Sequence, residues 1–336
     1  MRVMEARLVL KSPAVVVQRR VERGFVKPAD WIPGSMLRGA ILTALHRAGK
    51  LGAGDLERER AEPSLLASPA YPVVKGSRSA PATPFMFYCR RCKSVVDITR
   101  EAAEKLARGE EPELPLLHEC GEAPNWTSRL GLKLPRDLKP MHGALVAREE
   151  RELRRVGVET FRSTSVAIGR DRGSAVRGML FDYEAIAEGT EFWAWVLAPD
   201  WLQPGSIEVA VGRGASRGFG WAELRLEPAQ QPRPYGSVLV AMSPLIPLKR
   251  LEWRGCALTL ARVYGRLDRL QTGWEYGRGF RPFVEVARRG SLAVAEEVSG
   301  PAEPLRVGLP VRAGDSWLTG FNALVPLEEY YGVLGG

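Results

Sequence analysis

Residues 3–10 alternate or run apolar, and a second apolar stretch at 14–17 follows Lys11-Ser12-Pro13; together they predict a first strand with an extension. A basic connector with Arg19, Arg20, Arg23 and Lys27 comes next. Pro33 and Gly34 form a turn that ends extended chain, and Ser35 is a candidate N-cap. Leu37, Ile41, Ala44, Leu45 and Ala48 then repeat at helical spacing, predicting an amphipathic helix closed by Gly49. Residues 53–84 mix charge, proline, serine and glycine and predict loop with a short helical turn; a helix is expected near 100–108. A strand pattern returns at 158–183 and at 190–198, where Phe192-Trp193-Ala194-Trp195-Val196 predicts burial on one or both faces. Residues 207–211 and 221–226 flank a glycine-rich turn and predict a hairpin. The proline-rich run from Glu227 to Pro234 divides a first domain, 1–230, from a second, 235–336, that opens with an apolar segment at 238–242 and continues through a strand at 257–264. No short-period repeat is visible, and a loose duplication of one βαβ-type module is not legible by eye.

Composition narrows the class. The 336 residues leave room for two cores, at 45% hydrophobic content. No stretch approaches the roughly 18 apolar residues of a membrane span, and the charged N-terminus reads as a strand rather than a signal peptide, so a cytoplasmic protein without a membrane partner is expected. A net charge of +9 makes a polyanion partner reasonable, and arginine, which far outnumbers lysine, binds phosphate bidentately and stacks on bases. Asparagine occurs only at Asn125 and Asn322, which suggests a hot habitat; an arginine-rich thermophile proteome would produce part of the charge without any RNA. The charge run at 148–152 reads as a solvated face.

Three of the four cysteines fall within one insertion at about 85–125. Cys89 and Cys92, with His118 and Cys120 downstream, offer three sulfurs and one nitrogen, a donor set suited to structural Zn²⁺ with no open position for catalysis. His118 is the least regular of the four, and His142 is the substitute; the alternative is a reduced pair of thiols beside an exposed histidine.

Three stretches have compositions suited to nucleic acid. Gly212-Arg213-Gly214-Ala215-Ser216-Arg217-Gly218-Phe219-Gly220 combines four flexible glycines with two cations and one stacking ring. It is no P-loop, since no Gly-Lys-Ser/Thr follows, and a plain glycine hairpin is the competing reading. Phe161 to Gly173 reads as a strand into a basic turn, with Arg162 along the strand and Arg170 and Arg172 at the tip. Gly273 to Arg281 interleaves aromatics with arginine and glycine, which suits base stacking and core packing alike. Arg38 adds a cation near the amides that open the first helix. Catalytic arrangements are thin: His46 reads as a helix-surface residue, and Asp30, the one carboxylate in the loop before the first helix, suits bracing that turn better than chemistry.

Three separated motifs resemble, in order, the CRISPR-associated RAMP superfamily. Ile32-Pro33-Gly34-Ser35-Met36-Leu37-Arg38-Gly39 is similar to its first-helix signature. Val166 to Ala175, with Gly178 to Glu184 and Glu188 to Phe192, is similar to a block of the backbone subunits, although Gly169 stands where that block has aspartate. Residues 212–220 resemble the superfamily's glycine loop. The resemblance covers most of residues 1–226 and looks most like the type III-D RAMP subunit. It implies an α+β chain of two ferredoxin-like (RRM-like) domains, the first with a zinc-binding insertion. It implies a non-catalytic subunit of a type III interference complex in antiviral defence, capping the tag of its guide RNA (crRNA). Other CRISPR effector subunits and target RNA would be its further partners. The expected RNA contacts are Ser35, Arg38, Arg162, Arg170, Arg172, Gly212, Arg213, Gly214, Arg217, Gly218, Phe219 and Gly220. Two alternatives stay open: an endoribonuclease, either cleaving target RNA through Asp30 or processing guide precursor without metal, and a zinc-containing RNA-binding protein outside CRISPR.

Overall fold

The computed structural model describes residues 1–20, 26–112, 118, 120, 126–127, 132–168, 175–271, 274–275, 279–280 and 283–335. It is a mixed α/β protein of mostly antiparallel sheets with few helices. The strand Arg2–Leu10 lies inside a nine-stranded sheet, paired antiparallel to Glu191–Ala198 on one side and to Trp221–Pro228 on the other. Side chains alternate across a strand, so each face of this sheet takes every second residue. Met4, Ala6, Leu8 and Leu10, with Phe192, Ala194 and Val196, face the helix α1 (Gly34–Arg47) and its core. Val3, Trp193, Trp195 and Leu197 face the opposite way, into a core shared with Leu239, Leu258, Leu292 and Tyr330 of the C-terminal half. The 192–196 run is apolar throughout because both faces of its strand are covered.

The polar stretch 53–84 corrects the expectation of a loop. It folds as α2 (Ala53–Ala61) and a hairpin of Tyr71–Val74 with Ser77–Pro81 that joins the main sheet beside Glu191–Ala198. The expected helix near 100–108 is α3 (Thr99–Ala107), and the 207–226 hairpin is Gly205–Ala210 with Trp221–Pro228.

A shared strand order runs through the two halves. In the first, 221–228 lies beside 2–10, then 191–198, then 66–67 and 71–74, so the last strand neighbours the first and the third separates the first from the second. In the second, Leu324–Pro326 lies beside Val238–Ala241, then Leu292–Ser299, then Cys256–Tyr264. Two short helices, α4 (Glu303–Val307) and α5 (Leu327–Gly335), pack between this second sheet and the first. A buried ion pair of Arg306 with Glu329 fixes the linker: Arg306 Nη1 donates to the Gln230 carbonyl at 2.7 Å, and Arg233 N donates to Glu329 at 3.2 Å. Across the seam, the buried Tyr71 hydroxyl donates to the Met242 carbonyl and the Tyr330 hydroxyl to the Pro81 carbonyl at 3.0 Å. No described helix is long and apolar enough to cross a membrane.

Candidate nucleic-acid interface and metal centre

The first-helix motif is a structural junction. Ile32 is fully buried and exchanges backbone hydrogen bonds with Ala70. Pro33, not Ser35, is the N-cap; its carbonyl accepts from Met36 N and Leu37 N, and Ser35 sits exposed in the first turn. Glycine is required at position 34 because a Cβ there would overlap the Ala67 carbonyl. Gly320, from the other half, lies so close to the Ser35 amide that a Cβ there would overlap it. Arg38 turns inward: Nε donates to the Leu65 carbonyl at 2.7 Å, and Nη2 pairs with Glu59 of α2 at 2.8 Å, with 15% and 6% of the two side chains exposed. The phosphate-holding role expected of Arg38 therefore gives way to packing, while the Ser35 side chain stays exposed. The amide end of α1 meets Gly320, and the guanidinium neutralises a carboxylate that burial would otherwise penalise.

The glycine loop takes the shape its composition demands. Gly212, Gly214, Gly218 and Gly220 all have φ between 77° and 85°, a region closed to most side chains. A Cβ on Gly220 would overlap the Val211 carbonyl, and one on Gly212 would meet the Val15 carbonyl at 2.5 Å. Between them Ala215–Arg217 makes a single 3₁₀ turn that leaves Arg213 and Arg217 exposed and Phe219 half-buried.

One segment, residues 13–16, ties this loop to the other elements. Arg213 N donates to the Val15 carbonyl at 3.0 Å and Gly220 N to the Pro13 carbonyl at 2.8 Å. Ala14 exchanges hydrogen bonds with Ile186 at the root of the hairpin Thr160–Ile168 and Ala175–Ile186. Ala29 N donates to the Val16 carbonyl at 2.7 Å, which brings in the approach to α1. Arg162 is exposed on the hairpin strand opposite Glu184. Arg170 and Arg172 lie outside the described residues, as do Arg23 and most of the 273–281 aromatic stretch.

Asp30 pairs with Arg289 at 2.7 Å, and that guanidinium also donates to the Gly143 carbonyl at 3.1 Å and lies 4.8 Å from the Trp31 ring centre. The carboxylate thus braces the turn against the C-terminal half. His46 Nδ1 lies 2.8 Å from the Leu51 carbonyl just past the helix end. Sequence reasoning missed Glu59 and Arg289, whose partners are distant in the chain and leave no spacing signal. The Ser12-Pro13 segment, read as part of an extension of the first strand, gave no sign of the bonds it makes to Trp221 and Gly220.

The four metal-ligand candidates converge. Cys89 closes the strand Met86–Cys89, and a tight turn follows in which Lys93 N donates to the Cys89 carbonyl and Lys93 adopts φ 64°. This turn brings Cys92 back beside Cys89. Across from them, Cys120 Sγ lies 3.7 Å from Cys89 Sγ, and His118 Nε2 lies 3.2 Å from Cys92 Sγ; all four donor atoms fall within 4.8 Å of one another. Bonds of about 2.3 Å from one tetrahedral ion would set two sulfurs roughly 3.8 Å apart, so the donor spacing fits a single Zn²⁺. Hydrogen bonding from Ser94 brings the Cys92 thiol down to about 6, while hydrogen bonding to Cys92 pushes the neighbouring Cys120 thiol up to about 11. His142 is not among these donors, and Cys256 stands apart in the core, its thiol pushed up to about 12 by burial.

No family model and no curated protein matches this chain. Solved structures do match in fold. A subunit of the type III-B Cmr-beta complex bound to cognate target RNA is 10% identical, with 86% of each chain covered and a TM-score of 0.48. A chain of the Csm3–Csm4 subcomplex of the type III-A CRISPR-Cas interference complex is 13% identical, covering 96% of this chain and 99% of that one, at 0.42. Cmr4 (Cas7) of Pyrococcus furiosus is 13% identical, covering 68% and 100%, at 0.28. The chain is similar to subunits of type III CRISPR complexes, the class to which its three motifs point.

Proposed function

We propose that this chain is a non-catalytic guide-RNA-binding subunit of a type III CRISPR effector, built from two ferredoxin-like modules with a zinc-pinned insertion in the first. The observation that carries the reading is the 13–16 segment. It hydrogen-bonds the glycine loop, the root of the 160–186 hairpin and the approach to α1, making one continuous wall of the elements that bear the resemblance. On that wall Arg213 and Arg217 are exposed at a loop whose backbone a ligand can approach closely, and Phe219 offers a ring edge. These groups suit phosphate contact without sequence readout. Zn²⁺ held by Cys89, Cys92, His118 and Cys120 would have its coordination filled by protein, which suits a structural role.

The test is to sequence RNA co-purifying with the chain and measure its affinity at several salt concentrations. Repeat-derived RNA is expected; RNA without repeat sequence would move the chain outside CRISPR, and no affinity at low salt would end the RNA reading. Arg213→Ala with Arg217→Ala is expected to weaken binding at least tenfold. Losing two phosphate contacts should flatten the log affinity–log salt slope by about 1.4. Asp30→Ala separates this reading from the endoribonuclease. Bound RNA is expected to stay intact with wild type and variant alike, and cleavage that Asp30→Ala abolishes would establish an enzyme.

A further inference from the structure

The second half repeats much of the hydrogen-bonded wall of the first. Ala14 lies four residues past the end of the strand Arg2–Leu10, and Leu245 four past the end of Val238–Ala241. Ala14 exchanges two backbone hydrogen bonds with Ile186, and Leu245 exchanges two with Ala287; Ile186 and Ala287 each stand five residues before the next sheet strand. Gly189 N donates to the Leu10 carbonyl and Gly290 N to the Ala241 carbonyl, with φ of 80° and 86°. The Ser12 hydroxyl accepts from Trp221 N, and the Ser243 hydroxyl from Ala323 N; each serine precedes a proline. Gly220 N donates to the Pro13 carbonyl, and Asn322 N to the Pro244 carbonyl, both with positive φ. Gly218-Phe219-Gly220 thus corresponds to Gly320-Phe321-Asn322.

The two copies have diverged in opposite ways at their two outward elements. The glycine loop of the first is exposed, whereas its counterpart is turned inward: Gly320 abuts the Ser35 amide, and Phe321 is buried with Ile246, Val286 and Leu318. The hairpins at the equivalent position have stayed outward. In the first, Arg162 stands opposite Glu184, and in the second, Leu267–Gln271 with Phe283–Ala287, Arg269 stands opposite Glu285. Leu270, Val284 and Val286 pack this second hairpin onto the core beneath it. Its other face shows solvent Leu267, Arg269 and Phe283, with 56% of Leu267 and 63% of Phe283 exposed.

We propose that the hairpin 267–287 is a second RNA-contacting arm, engaging the same strand one module further along. The inference rests on the guide-RNA reading for the identity of the strand. Residues 266–288 hold five arginines and no lysine against three carboxylates, with four aromatic residues. One of those carboxylates, Asp268, is already paired with Arg288 at 2.7 Å. Arginine and aromatic residues together match the two surfaces of single-stranded RNA, its phosphates and its base faces, and among the described residues Arg269 and the Phe283 ring are exposed. A protein partner would fit the exposed apolar residues but would give no use to the lysine-free cationic excess.

The experiment uses the full chain with its co-purifying RNA resynthesised to carry 4-thiouridine, and reads photo-adducts by peptide mass spectrometry. Adducts are expected on peptides from both 160–186 and 266–288. Phe283→Ala with Arg269→Ala is expected to weaken binding of the full-length RNA about tenfold or more, with unchanged melting temperature. Affinity for an RNA trimmed to the first arm's footprint should stay unchanged, and Phe283→Tyr, which keeps the ring, should bind as wild type. RNA bound normally with no adduct on 266–288 and no effect of the double variant overturns the second arm and leaves the guide-RNA reading standing. Adducts from that hairpin to a protein subunit instead of RNA overturn it too. A wild-type chain without affinity for RNA overturns both.

Discussion

Glu329→Ala is expected to lower the stability of the chain by about 3–5 kcal/mol, among the largest effects of any single substitution here. Arg306 and Glu329 expose only 6% and 7% of their side chains, so deleting the carboxylate strands a full positive charge in an apolar seam. The guanidinium lies 4.7 Å from the Trp195 ring centre and retains a hydrogen bond to the Gln230 carbonyl, neither of which replaces the lost charge. Linker and seam should loosen together, because the same carboxylate accepts from Arg233 N. Denaturant titration of both variants measures this. Replacing the pair together, Arg306→Met with Glu329→Leu, should recover most of the loss, since removing both charges also removes the desolvation penalty. A single variant as stable as wild type would mean that water reaches this site.

The second large effect concerns the metal. Cys89→Ser, or a strong chelator, is expected to release one Zn²⁺ per chain and destabilise the insertion by several kcal/mol. Cys89 is the sensitive position because it is both a donor and a buried residue of the main core, paired in register with Leu138. Cys92 is exposed, so Cys92→Ser should lose metal with less damage to packing. Metal analysis with thermal melts of the two variants tests the difference, and a chain that carries no metal when purified from zinc-replete cells would exclude the site. RNA affinity at the glycine loop should survive in Cys92→Ser, since the loop is tied to residues 13–15 and has no described bond to the insertion.

Elements whose own residues carry the pattern were legible in the sequence. The helical spacing from Leu37 to Leu45, the apolar 191–198 strand and the hairpin around the glycines all fold where periodicity puts them. The cysteine and histidine spacing foretold the convergence of four donors. The hairpin 71–81 was not legible, because Pro72 interrupts the first strand and Ser77-Arg78-Ser79 has weak strand propensity; the two gain their conformation from pairing with Phe192 and Val146. Arg38 misled for a related reason. A cation near a helix start suits phosphate on local grounds, and only the distant Glu59 makes it a brace. The repeated bonding pattern escaped because the spacing between equivalent residues changes along the chain, leaving Ser-Pro and Gly-Phe pairs as its only plain traces.

The position of the first strand in the sheet bears on how the chain must be made. Arg2–Leu10 leaves the ribosome before both of its neighbours, Glu191–Ala198 and Trp221–Pro228, which are encoded far downstream. At about 5–20 residues per second, the roughly 180 residues between it and the nearer partner take some 10–40 s to synthesise. Through that interval an apolar strand waits with two bare edges, a template for pairing with any other nascent chain. Slow, long-range closure of this kind makes the yield of folded protein depend on synthesis rate and on helpers that cover the strand until residue 198 appears.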